Sequence, residues 1–241
     1  MTRRPLLLDL FCCEGGAATG YHRAGFDVVG IDIDPQPNYP FTFLRGDAVV
    51  ALANLVDGYE VGGYHLSDFD AIHASPPCQL YSVSTVMHRD ANEYPDLVDT
   101  VRELLTRIDI PWVIENVMGA PLVPRGHVTF DGRYGEMLCG SMFSMKRLRR
   151  HRLFETNWPL SAPSSCRHSE QEDVMSIVGH GEQGRSGRVG ERWGLAARRE
   201  VMGMTWASRD GISEAIPPAY TEWIGRQMVN ELAQTVTGRN A

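Results

Sequence analysis

"RPLLLDLFCCEGGAATGYHRAGFDVVGIDID", residues 4–34, decides the fold. It opens on a continuous apolar run, "RPLLLDLFC", without the polar alternation of a half-solvated strand. Such a run reads as a strand buried on both faces. "EGGAATGYHRAGF" follows as a glycine-rich turn and a short helix, and "DVVGIDID" as a second buried strand. Strand, turn, helix and strand in this order form the repeat unit of a parallel, doubly wound sheet.

The repeat continues downstream. "FLRGDAVVALANL" gives a third short strand and a helix, and "DFDAIHAS" a fourth strand. "YPDLVDTVRELLTRI" predicts an amphipathic helix with Leu97, Val101, Leu104, Leu105 and Ile108 on its apolar face. "PWVIENV" is a fifth strand. From Asn157 to Arg192 the composition shifts to Gly, Ser, Arg and His, which reads as a loop-rich insert outside the core. Helix signals return in "LAARREVMGM". In "IPPAYTEWIGRQMVNELAQTV", Pro217 and Pro218 suit a helix start, and Tyr220, Trp223, Ile224, Met228 and Leu232 mark one face.

Bulk properties narrow the classes. The 241 residues suit one α/β domain with room for an insert, and 43% hydrophobic with 22% charged residues is ordinary for a globular chain. No apolar run approaches the roughly 18 residues of a membrane helix. Asp9 interrupts the short apolar N-terminus and no small-residue cleavage site follows, which argues against a signal peptide. Five cysteines without repeated spacing suit reduced thiols in a cytoplasm. No CxxC pair is present, and Cys166, His168 and His180 are irregularly spaced, so no metal site is expected. Net charge is -7, yet residues 143–199 hold 11 Lys+Arg against 6 Asp+Glu. The basic part peaks at "MKRLRRHRLF", either a solvated surface or a phosphate-contacting face.

In an open parallel sheet, ligands bind beyond the carboxyl ends of the strands. Gly15 and Gly16 there allow close backbone approach, and the helix that follows offers free N–H groups to an anion. Asp32 ends the second strand, where a carboxylate can bind ribose hydroxyls. Asp47, after the third, could accept from an adenine amine; both are equally readable as turn or cap residues. The turn lacks GxGxxG, which counts against a nicotinamide or flavin. In "ASPPCQLYS", residues 74–82, Pro76 and Pro77 stiffen the loop that carries Cys78. Glu115 in "VIENV" ends the next strand, so a potential nucleophile and a carboxylic acid would share one sheet edge.

Together these pieces resemble the DNA cytosine-5 methyltransferase family. "DLFCCEGG", "GIDID", "GDA", "ASPPCQLYS", "VIENV", "RRHRLFE", "AARREVMGM" and "AIPPAYTEWIG" stand in the family's order, and "PPCQ" followed by "ENV" is the specific part. The resemblance implies a Rossmann-like methyltransferase of residues 1–156 and 193–241, with a short target-recognition insert at 157–192. It implies S-adenosyl-L-methionine as cofactor and double-stranded DNA with a flipped cytosine as substrate. Cys78 would attack the ring, Glu115 would bind its nitrogen edge, and Arg150 with Arg152 would steady the adduct. Asp9, Phe11, Gly15, Gly16, Asp32, Ile33, Asp47, Pro76 and Glu214 would line the cofactor. Gln79, Ser82, Lys146, Arg147, Arg149, Arg185, Arg188 and Arg192 would face DNA. Asn116 would shape the Glu115 loop, and the helix after "IPP" would return beside the first loop. A cytoplasmic, bacterial or phage modification enzyme acting as a monomer is expected.

Four features depart from the family pattern. Cys13 stands where glycine is usual and is accommodated if φ is negative there; Leu148 replaces the glutamine of "QxRxR"; Glu214 replaces an asparagine; and the insert is only 36 residues long. Alternative readings are an enzyme acting on RNA or free cytosine nucleotides, and a DNA-binding relative without chemistry.

Overall fold

The computed structural model describes residues 3–81, 96–175, 177 and 193–238. Ser82, His180, Arg185, Arg188 and Arg192 lie outside them.

A seven-stranded sheet runs in the order β3-β2-β1-β4-β5-β7-β6. The five strands predicted from sequence are β1 (Leu6–Leu10), β2 (Asp27–Asp32), β3 (Thr42–Arg45), β4 (Ala71–Ala74) and β5 (Trp112–Asn116). All pair in parallel. β1 and β4 are fully buried except at Leu6, as their unbroken apolar runs require. Chain order reverses between β1 and β4, which opens a crevice at their carboxyl ends.

Two strands escaped the sequence reading. β6 (Tyr134–Leu138) and β7 (Arg152–Thr156) pair antiparallel with one another, and β7 pairs antiparallel with β5. β7 contains Glu155, which is 0% exposed and would break any apolar pattern. It is tolerated because Arg102 Nε and Nη2 donate to its two oxygens at 2.7 and 3.0 Å. Arg133 Nη1 (2.8 Å) and the Val123 N–H (2.9 Å) complete the set. Those partners come from far along the chain, so no local pattern announces them.

The helices are α1 (Gly16–Ala24), α2 (Ala48–Val56), α3 (Leu97–Leu105), α4 (Leu195–Met202), α5 (Arg209–Glu214) and α6 (Pro218–Gly238). Asp96 caps α3 by accepting from the Val98 N–H, and the buried stripe is Val98, Val101 and Leu105. Leu97 and Leu104, expected on that face, are only partly buried. α6 does return against α1: the Thr221 hydroxyl donates to the Ala17 carbonyl at 2.9 Å. Gly20 makes this approach possible, since a Cβ there would overlap Thr221 and the Pro218 carbonyl. Among the described residues, no helix is long and apolar enough to cross a membrane.

The irregular stretch after β7 nonetheless reaches the interior. Trp158 is 3% exposed within the main core. Met175 and Ile177 join Leu148, Met202, Met204 and Ile212 in a second apolar cluster. That cluster gives Leu148 a packing role where the sequence comparison had looked for a polar side chain.

Candidate active site

The first loop leaves β1 through two left-handed residues that are not glycine, Phe11 (φ 59°) and Cys13 (φ 43°), followed by Gly15 (φ 78°). The easy accommodation of Cys13 that a negative φ would allow is not what the structure shows. Left-handed backbone is costly for a side-chain-bearing residue and persists only where its surroundings impose it. Here the Cys13 N–H donates to Asp32 Oδ2 at 2.9 Å, and the Gly15 N–H to the Cys12 carbonyl at 3.0 Å. Asp32 also accepts from the Asp34 N–H at 3.0 Å, so this carboxylate braces the loop from the end of β2. Ile33 beside it is 62% exposed. Asp47 is the N-cap of α2, accepting from Val49 and Val50.

Gly15 starts α1 without a side-chain cap, and of the first N–H groups of that helix the one of Ala18 is drawn toward the Asp9 carboxyl. Behind the loop, Asp9 is 1% exposed; the Ala18 N–H and the Tyr39 hydroxyl approach its carboxyl, but neither makes a well-aimed hydrogen bond. Burial, then the nearby Asp32, pushes the Asp9 carboxyl up to about 8. Glu214 ends α5 against the Cys13 thiol.

Glu14, between the cysteines and the glycines, was not singled out from sequence. It is 7% exposed and pins the loop to the C-terminal region. Its Oε2 accepts from the Ser208 N–H (2.6 Å), its Oε1 from Asn38 (3.1 Å), and its carbonyl from Trp206 Nε1 (2.8 Å). An acidic side chain inside an otherwise small, apolar loop was the available signal.

The second half of the site lies at the ends of β4 and β5, which are adjacent, with Ala74 opposite Ile114. Asn116 Nδ2 donates to the Pro76 carbonyl at 2.9 Å and fastens the Cys78 loop to the end of β5. The Tyr81 N–H closes a turn on the Cys78 carbonyl at 3.0 Å. Gln79 Oε1 is buried without a partner. Burial and Glu115 raise the Cys78 thiol, against Arg152 and Arg150, which lower it. Cys78 is therefore a thiol at rest.

Glu115 is 5% exposed. Arg152 Nε lies 3.0 Å from its Oε1, a charge contact without a well-aimed hydrogen bond. Burial raises the Glu115 carboxyl, and Arg152, Arg150 and the Ser75 hydroxyl only partly offset it. Behind Ser75 runs a buried chain missed in the sequence: Ser75 Oγ is 2.8 Å from His73 Nε2, and His73 Nδ1 is 3.0 Å from the Tyr21 hydroxyl. Burial lowers His73 to about 3, so the ring is neutral. With Glu115 ionised, donation runs from Tyr21 through His73 and Ser75 to the carboxylate. A histidine in the apolar strand "AIHA" was the sequence signal.

Arg150 and Arg152 separate into two roles. Arg150 is 6% exposed and donates to the Ile177 and Ser213 carbonyls at 2.7 and 2.8 Å, while the Tyr220 hydroxyl holds its own carbonyl at 2.6 Å. Burial lowers its guanidinium to about 9. It joins the second apolar cluster to the site, and Arg152 alone reaches Glu115. Lys146, Arg147 and Arg149 are exposed. Arg147 stacks over the Trp193 ring at 4.9 Å, and Arg149 donates to Gln171 at 3.1 Å. Cys166 and His168, set aside as metal ligands on spacing, lie with Cys139 and His151, which that spacing argument did not include.

Residues 6–128, slightly more than half of the chain, match the model of the C-5 cytosine-specific DNA methylase family. Over 122 residues the chain is 31% identical to the Type II methyltransferase M.XorII of Xanthomonas oryzae pv. oryzae. That match covers 48% of this chain and only 29% of the relative. Among solved structures, S. pombe Dnmt2 methyltransferase aligns with a TM-score of 0.56 at 12% identity, over 95% of this chain and 99% of that one. Entamoeba histolytica methyltransferase EhMeth aligns at 0.57 and 10% identity, over 96% and 99%. At such identities these two show a shared fold.

Proposed function

The chain belongs to the C-5 cytosine-specific DNA methylase family, and on that premise we propose that it transfers a methyl group from S-adenosyl-L-methionine to carbon 5 of a cytosine flipped out of double-stranded DNA. The observation that carries this reading is the convergence of Cys78, Glu115 and Arg152 at the edge shared by β4 and β5.

The residues of the first crevice fit the cofactor. The uncapped start of α1 suits its carboxylate, Asp32 stands where ribose hydroxyls would lie, and exposed Ile33 offers an apolar face to adenine. Asp9, buried and weakly satisfied, lies near the end of β1 beside the same loop. Gly16 and Pro76 border the same crevice, and Glu214 would sit near the methionine end. The cofactor supplies an electrophilic methyl group.

Cys78 would give up its proton to solvent as the base enters, and its sulfur would add to carbon 6 of the cytosine. Glu115, held protonated more readily than an ordinary carboxyl, donates to ring nitrogen 3 as electron density moves into the ring. Carbon 5 then takes the methyl group; its proton passes to a water molecule, the freed electron pair restores the carbon 5–carbon 6 double bond and expels the sulfur as thiolate, and ring nitrogen 3 returns its proton to Glu115. Arg152 steadies the charge on the adduct and Arg150 positions the segment that carries it. The basic surface of Lys146, Arg147 and Arg149 would follow DNA phosphates, with Gln79 also on the DNA side. The enzyme would act as a monomer in a bacterial or phage-infected cytoplasm.

Incubation with S-adenosyl-L-methionine and DNA containing 5-fluorocytosine tests this, because fluorine cannot leave as a proton does. A covalent protein–DNA complex is expected for the wild type and none for Cys78→Ala, with cofactor binding retained in both. Trapping on RNA or on free nucleotides but not on DNA would move the substrate. Absence of trapping on all three would sink the mechanism.

A further inference from the structure

Three segments distant in sequence meet beside the β6–β7 edge of the sheet. Cys139 follows β6 and is 0% exposed. His151 immediately precedes β7 and lies between Arg150 and Arg152. Cys166 and His168 belong to the insert, where His168 begins a short 3-10 helix. One donor atom of each lies within 4.8 Å of all the others. Cys139 Sγ is 3.3 Å from His168 Nε2, and Cys166 Sγ is 3.6 Å from His151 Nε2. The two imidazoles stand nearly perpendicular, with ring centroids 5.0 Å apart.

These separations match a metal tetrahedron. Bonds of about 2.3 Å to sulfur and about 2.0 Å to nitrogen place neighbouring sulfur and nitrogen ligands about 3.6 Å apart. The ligand set selects the ion: two thiolates and two imidazoles in a tetrahedron suit Zn2+, and their two negative charges neutralise it. A supporting layer is already in place. The Ser141 hydroxyl donates to Cys139 Sγ at 3.3 Å and accepts from the Arg167 N–H at 3.1 Å, which links two of the three segments through the ligand itself.

We propose that Cys139, His151, Cys166 and His168 form a structural zinc site that ties the insert to the β6–β7 edge. Four protein ligands leave no open position, so the metal takes no part in chemistry. Its effect is positional. His151 is the neighbour of both arginines, so fixing its ring fixes the approach of Arg152 to Glu115, and Cys166 with His168 anchors the start of the insert to the same point.

The test needs no methyl transfer, so it stands apart from the fate of the proposed reaction. The full chain, with any affinity tag removed, is purified in reductant without chelator, and its metal content is measured by mass spectrometry. About one zinc per chain is expected. Refolding with Co2+ should give visible d–d bands and thiolate-to-cobalt charge transfer of a tetrahedral site. Cys139→Ser and His168→Ala should each lower bound zinc at least tenfold, whereas His127→Ala, an exposed residue outside the cluster, should retain it. If Cys139→Ser fails to fold, the wild-type metal content and His168→Ala still decide. Folded, reduced wild type without zinc or a cobalt spectrum overturns the proposal. So does a Cys139–Cys166 disulfide in its place, or full zinc retention in both ligand variants.

Discussion

Glu155 and Glu115 are both buried glutamates beside arginines, and they stand on the neighbouring strands β7 and β5. Their surroundings differ in completeness. Glu155 receives four hydrogen bonds from Arg102, Arg133 and the Val123 N–H. Burial works to raise its carboxyl, and those donors outweigh burial and hold it below the ordinary carboxylate range. Glu115 has one badly aimed arginine and one hydroxyl, and burial wins. A saturated carboxylate is a structural fixture. An under-satisfied one at the mouth of a crevice keeps bonding capacity for a ligand.

Exchanging each glutamate for glutamine should separate the two. Glu115→Gln is expected to lower methyl transfer by about 10²–10⁴-fold, with unfolding free energy changed by less than about 1 kcal/mol, because a desolvated and poorly paired charge is removed. A large loss of stability in that variant would break the contrast. Glu155→Gln should cost about 3–5 kcal/mol in denaturant unfolding, since it strands two partly buried guanidinium groups, while turnover per folded molecule stays near that of the wild type.

Asp9 belongs with Glu115 and extends the comparison to pH. Its folded value of about 8 lies above the ordinary 3.8. The stability linked to its bound proton is complete below the ordinary value and is lost as pH rises toward 8. Asp9→Asn should therefore raise the thermal midpoint at pH 8.5 and leave it almost unchanged at pH 4. An equal shift at both pH values would show that desolvated charge is not what distinguishes these carboxylates.

Legibility in the sequence followed the range of the interactions involved. Most of the parallel strands were readable because burial on both faces leaves mainly apolar runs such as "LLLDL" and "AIHA", while the more exposed edge strand β3 was readable from its place before the next helix. Cys78 and Glu115 were readable because each sits just past such a run. β7 was not, because Glu155 belongs in a strand only when Arg102 and Arg133 are supplied from elsewhere. Arg150 and Arg152 looked equivalent in "RRHRLF", and only packing assigned one to backbone carbonyls and the other to Glu115. The left-handed backbone at Cys13 was not legible because sequence carries no sign of the Asp32 carboxylate that holds its N–H. Cys139, His151, Cys166 and His168 share no recognisable spacing, since their proximity is made by three separate segments.

Glu14 carries a consequence for the order of assembly. Its carboxylate and carbonyl are answered by Ser208 and Trp206, and the Ala17 carbonyl by Thr221, across about 190–200 intervening residues. Contacts of such span are closed late, because the entropy of the intervening chain must be lost first. During synthesis the sheet strands emerge early, while Glu14 in the loop that leaves β1 has Asn38 but lacks Ser208 and Trp206 until the chain beyond Ser208 has emerged. The loop after the first strand is thus among the last to be finished, and its completion reports that the chain as far as Thr221 is in place.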